Sequence, residues 1–313
     1  MAGHLIDERA NGVFVIAATP FKPDGALDLE SLDRLIAFYT EAGVDGITLL
    51  GMMGEAQKLT YDESRLVVQR VLFEVAGERP VLVGVSSPGL ATLAALTSDV
   101  MALGAAGVMI APPRGLETDE QILTWMGQVA DAIGHEVPVV FQDYPQATGV
   151  HVSAPLFGRL VEAFPQIKVL KHEDCPGLAK LSRIREAEAA GQRRVAILVG
   201  NGCLYYPMEL ARGADGAMSG FSFPEVMVRT HQLFMAGDAE AANDLFDLYL
   251  PLIRHEQQPG IGLAIRKAIL HRRRVIASPT LRPPGASLGP VDHAELDLML
   301  TRLERRLKDG LRV

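Results

Sequence analysis

Short apolar runs alternate along this chain with longer stretches whose apolar positions recur every three or four residues. The short runs are rich in Val, Ile and Leu and predict strands buried on both faces. The longer stretches predict amphipathic helices. The predicted strands cover residues 13–17, 46–50, 81–85, 107–110, 139–142, 167–171, 195–199 and 216–219. The predicted helices between them cover residues 29–42, 61–76, 90–103, 119–133, 154–163, 177–190 and 204–212.

One junction recurs between a predicted helix and the next strand, at residues 42–46, 103–107 and 212–216. Its first glycine suits the left-handed end of a helix, and its second lets a strand begin close to a neighbour. Eight βα units predict the α/β class and a (β/α)8 TIM barrel. A doubly wound sheet shows the same alternation, but it usually carries a Gly-rich phosphate loop after its first strand. Ala18-Thr19-Pro20-Phe21 stands at that place here.

The pattern after the eighth strand is entirely helical. Helices are predicted at residues 224–236, 238–254, 260–272 and 292–307, with a loop rich in Pro and Gly at 278–290. The first of these helices completes the barrel. The chain therefore divides into a barrel, residues 1–236, and a C-terminal helical extension, residues 237–313.

Composition narrows the class of protein. A chain of 313 residues with 48% hydrophobic content can bury a large core, and a net charge of −8 argues against a nucleic-acid partner. No apolar run reaches about 18 residues, which predicts no membrane span. The first residues show no cleavable signal pattern, so we expect a soluble cytoplasmic protein. Two cysteines and eight histidines show no metal-ligand spacing, so we expect neither a metal nor an organic cofactor.

Lys171 is the strongest candidate for chemistry. It ends the predicted strand 167–171, and alternation along a strand places it on the same face as Val169. A lysine among apolar neighbours is desolvated, which lowers the pKa of its amine and produces a nucleophile that can form a Schiff base with a carbonyl. The alternative is an ordinary surface lysine just past a strand end. In a barrel, the carboxyl ends of the strands hold the active site, which favours the chemical interpretation.

A glycine-rich turn follows the second predicted strand. Backbone N–H groups at such a turn can hold an anion such as a carboxylate, although glycine also serves ordinary βα turns. Glu55 is either part of this site or a carboxylate that favours the start of a helix. The candidate substrate-binding residues of the turn are Gly51, Met52, Met53, Gly54 and Glu55.

Four further polar residues lie at other strand ends. Gln142 can orient water or substrate by hydrogen bonds, and Tyr144 is either a proton carrier or a packed loop aromatic. Asn201 and Ser219 are placed to meet the hydroxyl groups of a substrate, or else they cap turns. Gln142 and Ser219 end the fifth and eighth predicted strands, and Tyr144 and Asn201 follow the fifth and seventh.

Taken in order, these motifs resemble the dihydrodipicolinate synthase and N-acetylneuraminate lyase superfamily of class I aldolases. The resemblance covers about residues 11–275. Its markers are Thr19-Pro20-Phe21, Asp45-Gly46, Gly51 with Gly54-Glu55, Thr148-Gly149, Lys171, Gly200-Asn201, Gly213-Ala214-Asp215-Gly216 and Ser219-Gly220. The resemblance implies a barrel with a helical extension, usually a homotetramer. It also implies a Schiff base between Lys171 and pyruvate or another 2-oxo acid, whose carboxylate lies on the glycine-rich turn.

The chain departs from the family pattern at several positions. Met52 and Met53 replace the usual hydroxyl residues, Gln142 replaces the usual catalytic tyrosine, and Ala147 replaces the arginine of lysine-pathway synthases. Pro113-Arg114 stands where a tyrosine pair is usual.

A subgroup of the same superfamily is a looser match. Gln142-Asp143-x-Pro145 and residues 250–256 resemble the 2-keto-3-deoxy-sugar-acid dehydratases. We therefore expect a lyase that dehydrates or cleaves such an acid. The alternatives are condensation of pyruvate with aspartate semialdehyde, the synthase reaction, and a non-catalytic barrel that binds a metabolite.

Overall fold

The computed structural model describes residues 5–308. Eight parallel strands form a closed barrel in sequence order, with the last strand paired to the first. The predicted TIM barrel is confirmed, and each predicted strand agrees with the observed one to within one residue at either end. The strands are β1 (Gly12–Ile16), β2 (Gly46–Leu49), β3 (Val81–Gly84), β4 (Gly107–Ile110), β5 (Val139–Asp143), β6 (Ile167–His172), β7 (Ala196–Val199) and β8 (Gly216–Ser219).

Helices cover the outside of the barrel, and three of them form the C-terminal extension. The barrel helices are α1 (Leu29–Glu41), α2 (Tyr61–Val75), α3 (Leu90–Leu103), α4 (Asp119–Ile133), α5 (Pro145–Thr148), α6 (Ala154–Ala163), α7 (Leu178–Ala189), α8 (Tyr206–Ala211) and α9 (Pro224–Met235). The extension contains α10 (Ala239–Glu256), α11 (Gly262–Arg272) and α12 (Pro290–Lys308). The short helix α5 was not predicted. Residues 1–4 and 309–313, at the two ends of the predicted units, lie outside the described residues.

The start of α2 shows how the sequence sets a helix boundary. The Thr60 hydroxyl accepts a hydrogen bond from the Glu63 N–H, and the Glu63 carboxylate accepts one from the Thr60 N–H. Together they form a capping box, which satisfies donors that the first turn of a helix leaves free. Thr118 and Gln121 form the same arrangement at α4.

The third copy of the recurring junction, residues 212–216, shows why glycine is needed at both of its positions. Gly213 has φ +92°, the left-handed conformation that lets α8 end. A Cβ at Gly216 would lie 1.9 Å from the Gly12 carbonyl oxygen, so no larger residue fits where β8 meets β1. The junction therefore closes the barrel by allowing two backbones to approach.

Apolar side chains fill the barrel interior and determine which residues reach its mouth. Val140 of β5 and Val169 of β6 belong to the inner cluster. Two residues further along each strand, Gln142 and Lys171 stand opposite each other in register. Because side chains alternate along a strand, both point inward at the carboxyl end.

The extension packs on the barrel through a continuous apolar core, in which Leu32 of α1 and Ile265 of α11 both take part. The predicted loop before α12 is held against the barrel by Arg282, whose guanidinium donates to Glu63 at 2.7 Å and to the Gly25 carbonyl oxygen at 2.8 Å. The extension thereby reaches the mouth of the barrel. Within residues 5–308, no helix has both the length and the apolar composition needed to span a lipid bilayer.

Candidate active site

A cavity of about 110 Å³ lies at the carboxyl ends of the strands and contains Lys171; we call it the lysine chamber. It brings together most of the candidate residues from distant parts of the sequence. Its lining includes Met52, Met53, Gln142, Tyr144, Lys171, Asn201 and Ser219. Gly51 and Glu55 line an adjoining cavity, and the Gly54 carbonyl accepts a hydrogen bond from Thr19.

The Lys171 side chain is buried and faces the chamber, as alternation from Val169 predicted. Its Nζ atom lies 2.9 Å from Oε1 of Glu173. The expectation of purely apolar neighbours is wrong in this respect, because a carboxylate contacts the amine directly. Lys171 therefore has a proton acceptor within hydrogen-bond distance.

Glu173 is the principal site residue that the sequence reasoning missed. It is buried, and its Oε1 accepts a hydrogen bond from Gln142 Nε2 at 2.6 Å while its Oε2 accepts one from the Asn201 N–H at 3.1 Å. A Cβ at Gly200 would lie 2.4 Å from Glu173 Cγ, so the glycine makes room for this side chain. The available signal was alternation, because Glu173 lies two positions beyond Lys171 on the same face.

Two residues of the extension were also missed, and both line the lysine chamber. Arg266 of α11 is buried; its guanidinium donates to Glu256, to Gln257 and to the sulfur of Met53. Gln257 donates in turn to the Asn201 side chain at 3.1 Å. A thioether is a weak acceptor, so the Arg266 N–H group that faces Met53 can still donate a hydrogen bond to an anion.

Glu256 of α10 holds this arginine, with its Oε2 atom 2.9 Å from Nε of Arg266. Burial raises the pKa of the Glu256 carboxyl to about 7, against the opposing effect of Arg266. The pair is buried, and Ser222 N–H adds a donor to the same carboxylate oxygen. Glu256 therefore positions Arg266. Together with Gln257, Arg266 forms the part of the chamber lining that comes from the extension, which we call the roof.

The structure places the Glu55 carboxylate in an ion cluster. Lys267 and Lys58 contact it, the latter at 2.8 Å, and the Arg282 N–H donates at 3.1 Å. Burial lowers the pKa of Lys267 to about 8 despite the Glu55 carboxylate. The Glu55 side chain thus joins the turn to the extension.

The backbone of the turn has donors available. The N–H groups of Gly54 and Glu55 are used within the turn, to Gly51 O at 3.0 Å and Met52 O at 3.1 Å. The N–H groups of Met52 and Met53 donate to no acceptor in the described part of the chain. These two donors fit the predicted carboxylate site.

Backbone strain is concentrated at the same mouth. Leu50, Glu55, Asn201 and Cys203 have φ between +50° and +59°, a region that residues other than glycine seldom adopt. Each such conformation costs on the order of 1–3 kcal/mol and often marks a functional site. Here the strained residues lie at the ends of β2 and β7, which frame the chamber.

Tyr144 lines the chamber and is half-buried. Burial, and to a smaller extent the Glu173 carboxylate, raise the pKa of its phenol. The phenol therefore keeps its proton at neutral pH and can donate it. Ser219 also lines the chamber, where its Oγ accepts a hydrogen bond from the Phe221 N–H at 3.3 Å.

The adjoining cavity measures about 290 Å³, and we call it the side chamber. Met52 and Gln142 line both cavities, so the two chambers are neighbours at the mouth. Among residues 5–308, no group of three or more His, Cys, Asp or Glu side chains is arranged to hold a metal ion.

Known proteins resemble this chain over almost its whole length. The sequence model of the Dihydrodipicolinate synthetase family matches residues 9–303. L-2-keto-3-deoxyarabonate dehydratase of Azospirillum brasilense is 33% identical over 301 residues, which covers 95% of each chain. 4-Hydroxy-tetrahydrodipicolinate synthase of Persephonella marina is 32% identical over 78% of this chain and 81% of its own. A crystal structure of dihydrodipicolinate synthase from Rhodopseudomonas palustris has a TM-score of 0.94 and 44% identity, covering 96% of this chain and all of its own.

Proposed function

Because this chain belongs to the dihydrodipicolinate synthetase family of aldolases and lyases, we propose that it dehydrates a 2-keto-3-deoxy sugar acid through a Schiff base on Lys171. The observation that carries the proposal is the contact of Lys171 with Glu173, which also holds Gln142. Nucleophilic catalysis by an amine needs a nearby group that takes and returns protons. Glu173 is the nearest such group.

The proposed reaction begins with attack of Lys171 on the ketone carbon, C2, of the substrate. Loss of water from the adduct gives an iminium ion, which draws electrons from C3 and makes its hydrogen acidic. The Glu173 carboxylate takes the C3 proton and returns a proton to the hydroxyl that leaves from C4 as water. Hydrolysis of the conjugated imine then releases the product and restores Lys171.

The substrate carboxylate is proposed to lie between the turn and the extension. The N–H groups of Met52 and Met53 are donors on one side, and Arg266 is the buried cation that lines the same chamber. A guanidinium recognises a carboxylate with strong, charge-assisted hydrogen bonds. Asn201 and Ser219 are proposed to form hydrogen bonds with the hydroxyl groups at the other end of the substrate.

Two residues favour dehydration over the synthase reaction. Gln142 cannot relay the proton that the family tyrosine carries, and Ala147 cannot bind a second carboxylate. The Ala147 carbonyl instead accepts a hydrogen bond from Arg114 at 3.0 Å. The match to the Azospirillum dehydratase also covers more of both chains than the match to the Persephonella synthase. The synthase reaction remains the second candidate, which the similarity to the Rhodopseudomonas structure favours.

The proposal is tested with one enzyme preparation and two assays. Borohydride reduction with pyruvate is expected to add a stable mass to Lys171, and L-2-keto-3-deoxyarabonate is expected to lose water with measurable turnover. Lys171→Ala should lose both, whereas Lys22→Ala, which removes an exposed lysine that lines neither chamber, should keep both. An adduct on other lysines alone would refute the Schiff base. A trapped Lys171 with faster turnover of pyruvate plus aspartate semialdehyde would establish the synthase alternative.

We also propose that the enzyme is a homotetramer acting in the cytoplasm. The family resemblance supports this assembly. Light scattering coupled to size-exclusion chromatography should give about four times the mass of one chain, and fractionated cells should show the protein in the cytoplasmic fraction. A monomeric mass at micromolar concentration would refute the assembly.

A further inference from the structure

A buried group of ionisable side chains lies behind the reaction centre, and none of the steps proposed above uses it. Asp143 of β5 and His172 of β6 are in register, and each comes directly after an inward residue of the lysine chamber. Alternation therefore places both on the outer face of the barrel. Both are buried, and Lys180 of α7 joins them with a side chain that is only 11% exposed. Because charges lose hydration when they are buried, an ion pair in this largely apolar layer is a poor source of stability.

Lys180 connects two residues that flank Glu173. Its ammonium group contacts the carboxylate of Asp143 and lies 3.4 Å from Oδ2 of Asp174. Asp174 follows Glu173 in the chain, and the Asp143 carbonyl oxygen accepts a hydrogen bond from the Glu173 N–H at 2.9 Å. One ammonium group therefore holds both the residue that is bonded to the Glu173 backbone and the residue that comes after it.

Glu173 depends on such contacts because it lies just beyond the last residue of β6, which is His172. The His172 carbonyl oxygen accepts a hydrogen bond from the Gly200 N–H at 2.8 Å, and its Nε2 donates one to the Gly177 carbonyl oxygen at 3.0 Å. A Cβ at Gly177 would lie 2.2 Å from His172 Nε2, so no larger residue fits beside the ring. The residues before and after Glu173 are thus both held from outside the lysine chamber.

We propose that Lys180 is a positioning residue, which keeps the Glu173 carboxylate where it can take a proton from a substrate bonded to Lys171. The inference rests on the proton-transfer role that the proposed function gives to Glu173. A proton acceptor must lie within hydrogen-bond reach of the proton that it takes, and a displacement of about 1 Å can cost about 10²-fold in rate. Lys180 lines neither chamber, so it acts through the residues that hold Glu173.

The test measures exchange of the pyruvate methyl protons in D₂O by NMR. This exchange needs the iminium on Lys171 and a group that takes the C3 proton, so it does not depend on which sugar acid is the substrate. Lys180→Met keeps the length of the side chain but removes its charge. It should lower kcat for exchange by about 10-fold or more and leave KM for pyruvate within about 3-fold. Lys180→Arg keeps the cation and should recover part of the loss.

A matched control removes a different ion pair from the same strand. Lys168 lies at the amino end of β6, where its Nζ is 3.5 Å from Oε2 of Glu8. Lys168→Met should change neither constant for exchange by more than about 2-fold, because that ion pair holds no residue next to Glu173.

A double-mutant cycle separates positioning from a general loss of structure. Lys180→Met should lower the exchange rate of the Glu173→Gln enzyme by less than about 2-fold, because the carboxylate that Lys180 positions is already absent. Asp143→Asn removes the same ion pair and leaves Lys180 its contact with Asp174. It should lower the exchange rate of the otherwise wild-type enzyme by about 10-fold or more, and it provides the measurement if Lys180→Met does not fold.

The outcomes distinguish this inference from the proposed function. Equal fold losses from Lys180→Met in the wild-type and Glu173→Gln backgrounds would overturn the inference, and so would losses below 10-fold from both Lys180→Met and Asp143→Asn. Wild-type protein that exchanges the pyruvate protons but dehydrates no sugar acid would refute only the dehydratase proposal, since the cycle is read from exchange. Wild-type protein that exchanges no pyruvate protons would refute both.

Discussion

Replacing Glu173 with glutamine tests the residue that the structure adds to the site. The change keeps the shape of the side chain but removes its ability to take a proton. General acid–base catalysis contributes about 10²–10⁴-fold to a rate. Glu173→Gln should therefore lower kcat for the sugar acid by about 10²–10⁴-fold, which corresponds to about 3–5 kcal/mol at 1.36 kcal/mol for each factor of ten. A group that acts only in the transition state lowers kcat and kcat/KM equally, so KM should stay nearly constant.

The hydrogen bonds around Glu173 predict a second, smaller effect. Its Oε1 accepts from Lys171 and Gln142, and its Oε2 accepts from the Asn201 N–H. The glutamine carboxamide has only one acceptor oxygen, so it cannot accept hydrogen bonds both from Lys171 and Gln142 and from the Asn201 N–H. One buried donor loses its partner, which should cost about 1–3 kcal/mol in the free energy of unfolding. Urea unfolding measures this cost and separates it from catalysis.

The kinetic assay is the loss of water from a five-carbon 2-keto-3-deoxy acid, read by mass spectrometry. Glu209→Gln provides the matched control, because Glu209 is equally buried but lies on α8 and lines neither chamber. Glu173→Asp keeps the carboxylate and should recover part of the lost kcat. A Glu173→Gln enzyme that retains more than a tenth of the wild-type kcat would refute the proton-transfer role.

Three further predictions concern other groups. Tyr144→Phe should lower kcat about 10²-fold or more if the phenol carries a proton, and a value within 3-fold of wild type would make it a packing residue. Burial raises the pKa of Glu209 from 4.5 to about 7, so its stabilising contribution is complete below pH 4.5 and is lost as pH rises through about 7. Between about pH 5 and pH 8, the free energy of unfolding of the wild type should therefore fall by about 3 kcal/mol more than that of Glu209→Gln in urea titrations, and equal slopes would contradict this pKa. Condensation of pyruvate with aspartate semialdehyde should be slow or absent because Gln142 and Ala147 replace the relay and the carboxylate partner, and turnover of about 1 s⁻¹ or more would show otherwise.

The sequence predicted those parts of the molecule that depend on local patterns. Strand and helix positions follow from periodicity, and the inward orientation of Lys171 and Gln142 follows from alternation along single strands. Glu173 lay within reach of the same rule. It was missed because β6 continues to His172, one residue beyond the end of the predicted strand at Lys171, so the alternation was not followed as far as Glu173.

The contributions of the extension could not be predicted in this way. Arg266 and Gln257 reach the chamber through packing of α10 and α11 over the barrel mouth, which no local pattern encodes. The position of the Glu55 side chain depends likewise on Lys267, which is 212 residues away in sequence. Its backbone remains part of the predicted carboxylate turn, but the partner of its carboxylate could be found only from the fold.

The roof formed by Arg266 and Gln257 has a consequence for how this enzyme can diversify. The lysine and its proton acceptor come from one strand end, whereas the residues above them come from a separate helical segment. Recombination that exchanges only the segment after α9 would bring in a different roof over an unchanged reaction centre. The range of substrates that such a chain accepts and the reaction that it catalyses can therefore change independently of each other.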